Sequence, residues 1–581
     1  MQKQTGRLMM GMEKSLFWAD QLAEEILARR RFHYLDRPVP KFPEYVVKTA
    51  ASLSGVLHIG RLSDTIRCDS VYSSLGERGK KARLIWVADD MDPLRKIPKG
   101  LPEGYSKYIG MPVTDIPDPH GCHSSYGEHH VSKYLEVVRK FVSGRLDTYS
   151  MRQEYRKRSF SKEVMKIIGN SRLIVDIQNR YRPKDNPVRK EWFPWMPICE
   201  NCGKIITTRV TSAKEGIVRY ECKDYEFEKR TAKGCGHKGD DDPRKGNGKL
   251  LYKGELAMQW AHWNVSSEGF GKEYQVPGSA FWINGEIAEK VLAFPMPVPI
   301  FYEHLLIEGE KMSASKGNVI YPSDWLKVAP PELLRFLYNK KLMKTRSFSW
   351  GTLPGLYDDY DMHERVYFGK AQMDGRRTGD RQPEAVKLST PSGQKVAENH
   401  KEKEHMKRLY RISQISIRKK MPAQIPFDFA VAVAQIYPEE KGKEAIGVFR
   451  STGHVNGRLS KADSESIAKR LSYARLWAGL HAPEQYRIRL MEKPREVKLS
   501  QGQRKAVKEL AVLLERKKLT QEELHGLFWE IAKGAGATPQ EFFRGVYQIL
   551  LGKDSGPKLA PFILAVGQKR VAGILKQEKR I

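Results

Sequence analysis

The chain has 581 residues, 40% of them hydrophobic and 10% aromatic, which excludes a disordered polypeptide and calls for three or four domains rather than one core. Six cysteines are too few for a disulfide scaffold, and no apolar run reaches the ~20 residues that span a bilayer. Lys and Arg number 101 against 69 acids, a formal charge of +32, and a field of that size attracts a polyanion, of which nucleic acid is the commonest.

Residues 1–15 lack the continuous apolar core of a signal peptide and read as a leader, which predicts a cytoplasmic protein. Over 12–35, Leu16, Trp18, Leu22, Ile26 and Leu27 recur at helical spacing. EYVVKTA (44–50) reads as a buried strand, 57–76 as a helix, and ARLIWVADDMD (82–92) as a second strand with acids at its C-terminal end. Strand, helix, strand predicts a βαβ unit, and hence a parallel sheet whose carboxyl edge holds ligands. The turn around His58 and the acids Asp89, Asp90 and Asp92 would share that edge. Residues 195–245 break the α/β pattern and hold four cysteines; 246–350 return to it. A connecting segment with a polar linker covers 351–406, and from 407 to 581 the periodicity is almost wholly helical. The predicted domains are therefore 16–194 and 246–350 as two parts of one α/β domain, 195–245 as an insertion, and 407–581 as an all-α domain.

His58-Ile59-Gly60 falls where a strand turns into a helix. Free N–H groups and the helix dipole at such a turn favour phosphate, and Gly55 and Gly60 let a ligand approach the backbone. KMSASKGN (311–318) reads as a loop of small residues with Lys311 and Lys316 able to reach one anion. Phosphoryl and nucleotidyl chemistry needs cations that follow charge onto a leaving pyrophosphate. Cys199-x2-Cys202, Cys222 and the Cys-Gly-His step at 235–237 read as a zinc ribbon, since two thiolates from one knuckle and two ligands from another can enclose Zn²⁺ tetrahedrally. Cys235 is the favoured fourth ligand and His237 the alternative. The basic run 401–420 reads either as an RNA-tracking stretch or as a solvated helix face.

An HIG turn early and a KMSxS loop late on one α/β chain is the pairing of class I aminoacyl-tRNA synthetases. The chain resembles more closely the class I lysyl-tRNA synthetases, in FWAD (17–20), LSGVLHIG (53–60), DDMDPLRKIP (89–98), GMPVTDIPDPHGCHSSYGEHH (110–130), MQWAHW (258–263), GEKMSASKGNVI (309–320), YDDYDMHERVYF (357–368), IPFDFAVAVAQI (425–436), LHAPEQYRIRL (480–490) and LLGKDSGPKLAPFI (550–563). The resemblance implies a Rossmann-type catalytic domain with a zinc-bearing insertion, followed by an all-α anticodon-binding domain. It implies that lysine and MgATP give lysyl-adenylate, and that the lysyl group then passes to the terminal ribose of tRNA(Lys). It places ATP against Gly55, His58, Ile59, Gly60, Lys311, Met312 and Ser313, with Lys311, Ser313, Ser315 and Lys316 stabilising the leaving pyrophosphate. It places lysine against Ser52, Trp260, Tyr274 and Tyr302. Structural Zn²⁺ and Mg²⁺ are the implied metals, and no membrane is a partner. The chain departs from the family at Ala50, where the family has Gly, at Arg61 (Asn), Gln259 (Arg) and Tyr274 (His). Those departures keep a second reading open: a divergent relative that binds tRNA without charging it with lysine, or that charges another amino acid.

Overall fold

A computed structural model describes residues 15–52, 58–97, 102–189, 192–228, 230–312, 317–370, 392–491 and 497–577. Gly55, Ser313, Ser315 and Lys316, most of the leader and most of the polar linker lie outside these. The chain forms two compact units. One comprises Met1–Ser323, Leu334–Ser347 and Glu384–Ile417; the other comprises Asp324–Leu333, Phe348–Pro383 and Arg418–Ile581.

The first unit is built on five parallel strands: β1 Tyr45–Ser52, β2 Ala82–Asp89, β3 Leu146–Ser150, β4 Val265–Gly271 and β5 Val298–Tyr302. Their order is β5-β4-β1-β2-β3. Helices cross between them: α2 Ile59–Glu77 from β1 to β2, α3 Tyr126–Val138 from β2 to β3, α4 Tyr252–Trp263 ahead of β4, and α5 Ala280–Lys290 from β4 to β5. Helices on both faces bury a parallel sheet completely, so its strands read as near-continuous apolar runs. Val46 and Val47 on β1, and Leu84 through Ala88 on β2, are buried. The two strands pair in full register from Tyr45 opposite Ala82 to Ser52 opposite Asp89. The strand order reverses between β1 and β4, and ligands bind outside the carboxyl ends of strands at such a point.

Two boundaries differ from the sequence-based expectation. The helix expected over 12–35 is α1, Trp18–Ala28. Beyond it the backbone N–H groups of His33 and Tyr34 donate to the Glu289 carboxylate at 2.8 and 2.5 Å, and these tertiary bonds take 29–35 out of the helix that periodicity alone would continue. The strand expected to reach residue 92 ends at Asp89, because the following acids turn inward: the Asp90 Oδ1 accepts the Arg152 N–H at 2.9 Å, and Asp92 accepts from Ser52.

Within 195–245 the strands Thr208–Lys214, Ile217–Cys222 and Lys238–Asp241 form a small antiparallel sheet, beside the hairpin Tyr225–Phe227 and Arg230–Ala232. Helix Ser392–Ser413 covers the end of the segment read as linker and the start of the basic run. Arg408 pairs there with Asp20 and Glu77, and Arg411 with Glu77.

The second unit is mostly helical. Four of its helices start with capping boxes, Ser460 with Asp463, Ser500 with Gln503, Thr520 with Glu523 and Thr538 with Glu541. Each box satisfies two otherwise orphaned N–H groups at a helix start. Leu510, Phe528, Phe542 and Phe562 lie in its core. Among the described residues, no helix is long and apolar enough to cross a membrane.

Candidate functional site

His58 is the N-cap of α2, and its Nδ1 accepts the Gly60 N–H at 3.1 Å. That bond assigns the ring proton of the neutral imidazole to Nε2, as a donor facing away from the helix. Burial, and then the adjacent Arg61, push His58 down to about 4, so the imidazole is neutral at pH 7. The turn is pinned from two sides: the Ile59 N–H donates to the Ile320 carbonyl at 2.8 Å, and the Tyr338 hydroxyl donates to the Ile59 carbonyl at 2.9 Å. A Cβ added at Gly60 would sit 2.7 Å from the Met312 Cε and 2.8 Å from the His58 Cε1. A methyl group there would push on Met312 and His58, and the two motifs, some 250 residues apart, meet at this glycine. Lys311 ends a two-stranded hairpin, Leu305–Ile307 with Glu310–Lys311, and is exposed. Glu308 and Gly309 close that hairpin with φ of 52° and 85°, the left-handed pair that a tight two-residue hairpin turn demands. Asn318 holds the far side, its Nδ2 donating to the Lys311 carbonyl at 3.2 Å.

Behind this turn lies a buried polar network. The Ser52 hydroxyl, at the end of β1, donates to the Asp92 Oδ2 at 2.8 Å. Lys249 reaches Asp92 at 3.4 Å and Glu255 at 3.2 Å, and the Tyr155 hydroxyl donates to Glu255 at 3.0 Å. Lys48 on β1 pairs with Glu268 on β4, and the Trp260 indole N–H donates to the same carboxylate. Trp260 is itself fully buried, edge-on to Phe270 and Phe281. The Tyr252 hydroxyl donates to the Tyr274 hydroxyl at 3.5 Å. Ser52 and Trp260 thus belong to two separate buried hydrogen-bonded groups, and Tyr274 bonds to Tyr252 outside them. Tyr302 instead faces α2, its ring 4.7 Å from the buried Arg67 guanidinium. Lys48, Lys249, Glu255 and Glu268 were not singled out from the sequence. A signal existed for one of them, since a lysine inside EYVVKTA contradicts a strand buried on both faces unless it is paired.

The four insertion thiols converge. Cys199 and Cys235 have sulfurs 3.6 Å apart, Cys202 and Cys222 3.7 Å apart, and all four lie within 4.8 Å of one another. A tetrahedron with Zn–S bonds of about 2.3 Å has S···S edges of about 3.8 Å, so the donor set fits zinc. Each knuckle turns on a left-handed glycine, Gly203 (φ 72°) and Gly236 (φ 74°). His237 points elsewhere, its Nε2 2.7 Å from Glu200. A second donor set, not singled out from the sequence, lies in the segment 118–129. The Cys122 Sγ is 3.3 Å from the Asp118 Oδ2, 3.1 Å from the His123 Nδ1 and 3.2 Å from the His129 Nδ1, and the four ligand atoms all fall within 4.8 Å. Thiol, imidazole and carboxylate at such spacing suit a four-coordinate divalent metal. The Asp118 carboxylate is oriented by the N–H groups of Cys122 and His123, both at 3.0 Å.

Comparison with known proteins matches this arrangement over nearly its whole length. The chain is 33% identical over 569 residues to the lysine–tRNA ligase of Thermococcus kodakarensis, covering 97% of this chain and 99% of that protein. It is 31% identical over 572 residues to that of Pyrococcus horikoshii, with the same coverage of each. It is 29% identical over 565 residues to that of Methanosphaera stadtmanae, covering 95% and 97%. The family described as tRNA synthetases class I (K) matches residues 16–416. With its HIG turn and KMS hairpin joined at Gly60 on the carboxyl edge of a parallel sheet, the chain belongs to the class I (K) tRNA synthetases.

Proposed function

We propose that the chain is a lysine–tRNA ligase that first joins lysine to ATP, releasing pyrophosphate, and then passes the lysyl group to the terminal ribose of tRNA(Lys). The observation that carries the mechanism is the close approach of Met312 to Gly60 and His58, which puts both ATP motifs at one place. The His58 Nε2–H donates to a phosphate oxygen. As a neutral donor it strengthens its bond when charge builds in the transition state, without a change of protonation. Lys311, with Lys316, supplies cations that follow charge onto the pyrophosphate, and Ser313 and Ser315 complete the loop. Gly55 and Gly60 leave room for the nucleotide, and Ile59 and Met312 border it. Lysine lies against Ser52, Trp260, Tyr274 and Tyr302. Mg²⁺ accompanies ATP and offsets its phosphate charge. The formal charge of +32 suits a tRNA partner, with 407–581 supplying the helical anticodon-binding domain and the cytoplasm the setting.

Cys199, Cys202, Cys222 and Cys235 would hold zinc as a structural cross-link. Asp118, Cys122, His123 and His129 would hold a second ion, and elemental analysis of the purified protein reads two metals per chain on this reading. The functional test is aminoacylation of total tRNA from the source organism with each of the twenty amino acids, tRNA being present throughout. Charging with lysine alone is expected. Charging with another amino acid would overturn the substrate and keep the chemistry. Tight tRNA binding without charging would favour the divergent-binder reading.

A further inference from the structure

A helix start favours negative charge and disfavours positive charge, yet the first turn of α2 carries no acid. It carries Arg61, three residues beyond His58. The Arg61 N–H donates to the His58 carbonyl at 2.9 Å, but the residue is exposed and its guanidinium has no hydrogen bond or ion pair among the described residues. Side chains on a helix lean toward its N-terminus, so Arg61 leans over the turn that holds His58, and its charge is felt at that imidazole. Arg67, six residues on, adds a second, independent sign. It is 2% exposed, its guanidinium lies 4.7 Å from the centre of the Tyr302 ring and 5.2 Å from that of Tyr338, and its Nε is buried with no hydrogen-bond partner. The one acid in this stretch, Asp64, is bonded to Thr49, and burial above all pushes its carboxyl up to about 7. The start of α2 therefore holds positive charge that no side chain of the fold fully answers, and an unanswered cation calls for an anion.

We propose that the Arg61 guanidinium receives the β- and γ-phosphates of ATP, beside the His58 Nε2–H, and stays on them as they leave as pyrophosphate. This deepens the lysine–tRNA ligase reading and rests on its ATP site. In the activation step a carboxylate oxygen of lysine bonds to the α-phosphorus, the bond from that phosphorus to the β-phosphate oxygen breaks, and its electron pair stays with pyrophosphate. A guanidinium forms two parallel bonds to a phosphate and keeps its proton throughout, so its hold strengthens as charge arrives on the leaving group. The asparagine that the resembling family carries at this position offers an N–H group without charge, so the contact is a feature of this chain rather than of the family pattern.

The experiment titrates the full-length chain by calorimetry with inorganic pyrophosphate, ATP and AMP, each with Mg²⁺. AMP keeps the base, the ribose and the α-phosphate and lacks the two groups assigned to Arg61. Arg61→Asn is expected to weaken pyrophosphate and ATP by ~10-fold or more and to leave AMP unchanged. Arg61→Lys keeps the charge without the fork, so it is expected to recover part of that loss. Arg61→Asn should melt no lower than wild type, because a cation at a helix start opposes the dipole and bonds nothing in the fold. Unchanged pyrophosphate and ATP binding in Arg61→Asn would overturn the inference. So would AMP weakened as much as ATP, because Arg61 would then serve the nucleoside or the fold. A raised KM for tRNA with pyrophosphate binding intact would also overturn it and assign the residue to the nucleic acid. The titrations themselves need no charging. Wild-type protein that binds pyrophosphate through Arg61 but charges no lysine would therefore overturn the ligase reading alone, and wild-type charging with pyrophosphate binding indifferent to Arg61 would overturn this inference alone.

Discussion

One ion pair of the helical unit and the sheet edge of the first unit hold buried charge in different ways. In the helical unit Arg470 meets Asp361 through two hydrogen bonds of 3.0 and 2.8 Å, with its guanidinium 4.6 Å from the centre of the Tyr357 ring. That pair is closed: every charge has its partner inside the fold. At the sheet edge of the first unit, the carboxylates of Asp89, Asp92, Glu255 and Glu268 face two ammonium groups, Lys48 and Lys249, and the Gln259 Oε1 is buried with no partner among the described residues. A closed buried pair holds structure, whereas an open one costs stability until a ligand neutralises it. The difference separates residues kept for the fold from residues kept for a substrate.

The largest effect is expected at the exposed cation of the KMS hairpin: Lys311→Ala should lower aminoacylation by ~100-fold or more with an unchanged melting profile. Unchanged turnover would remove Lys311 from the mechanism. At the closed pair, Arg470→Met should destabilise the helical unit by about 3–5 kcal/mol in denaturant melting, because it strands the Asp361 carboxylate. Asp89→Asn should cost less stability than Arg470→Met, since Asp89 makes no ion pair within 4 Å among the described residues; equal destabilisation of the two variants would erase the distinction. Gly60→Ala should lower kcat by ~10-fold or more, because the new methyl group pushes on Met312 and His58. The smallest effect concerns pH. With His58 pushed down to about 4, its folded value lies below its unfolded one. The stability linked to it is then present above pH ~6.5 and lost as pH falls from there toward 4. Accordingly the pH profile of kcat/KM should be the same for wild type and His58→Gln between pH 5 and 7, at a lower level in the variant; an inflection there unique to wild type would show a charged imidazole.

Much of this was legible in the sequence, and the parts that were not share a cause. The βαβ order, the HIG turn, the KMS loop and the cysteine spacing are local patterns, and local patterns survive in one dimension. The end of α1 was not legible, because it is decided by Glu289, far along the chain. The open network was not legible either. Lys48 looks like a stray charge in an apolar strand until Glu268 comes beside it, and Gln259 stands out in the sequence only as a departure from the family. Asp118, Cys122, His123 and His129 escaped notice because their spacing lacks a paired-cysteine knuckle. The basic run at 401–420 was readable two ways, and part of it is spent within the first unit, where Arg408 and Arg411 meet Asp20 and Glu77.

The decisive experiment is tRNA charging by the wild-type chain with lysine and norleucine side by side. The lysine–tRNA ligase reading predicts that lysine is charged and norleucine is rejected by ~10³-fold or more. Comparable charging of the two, or rejection of lysine, would contradict the account.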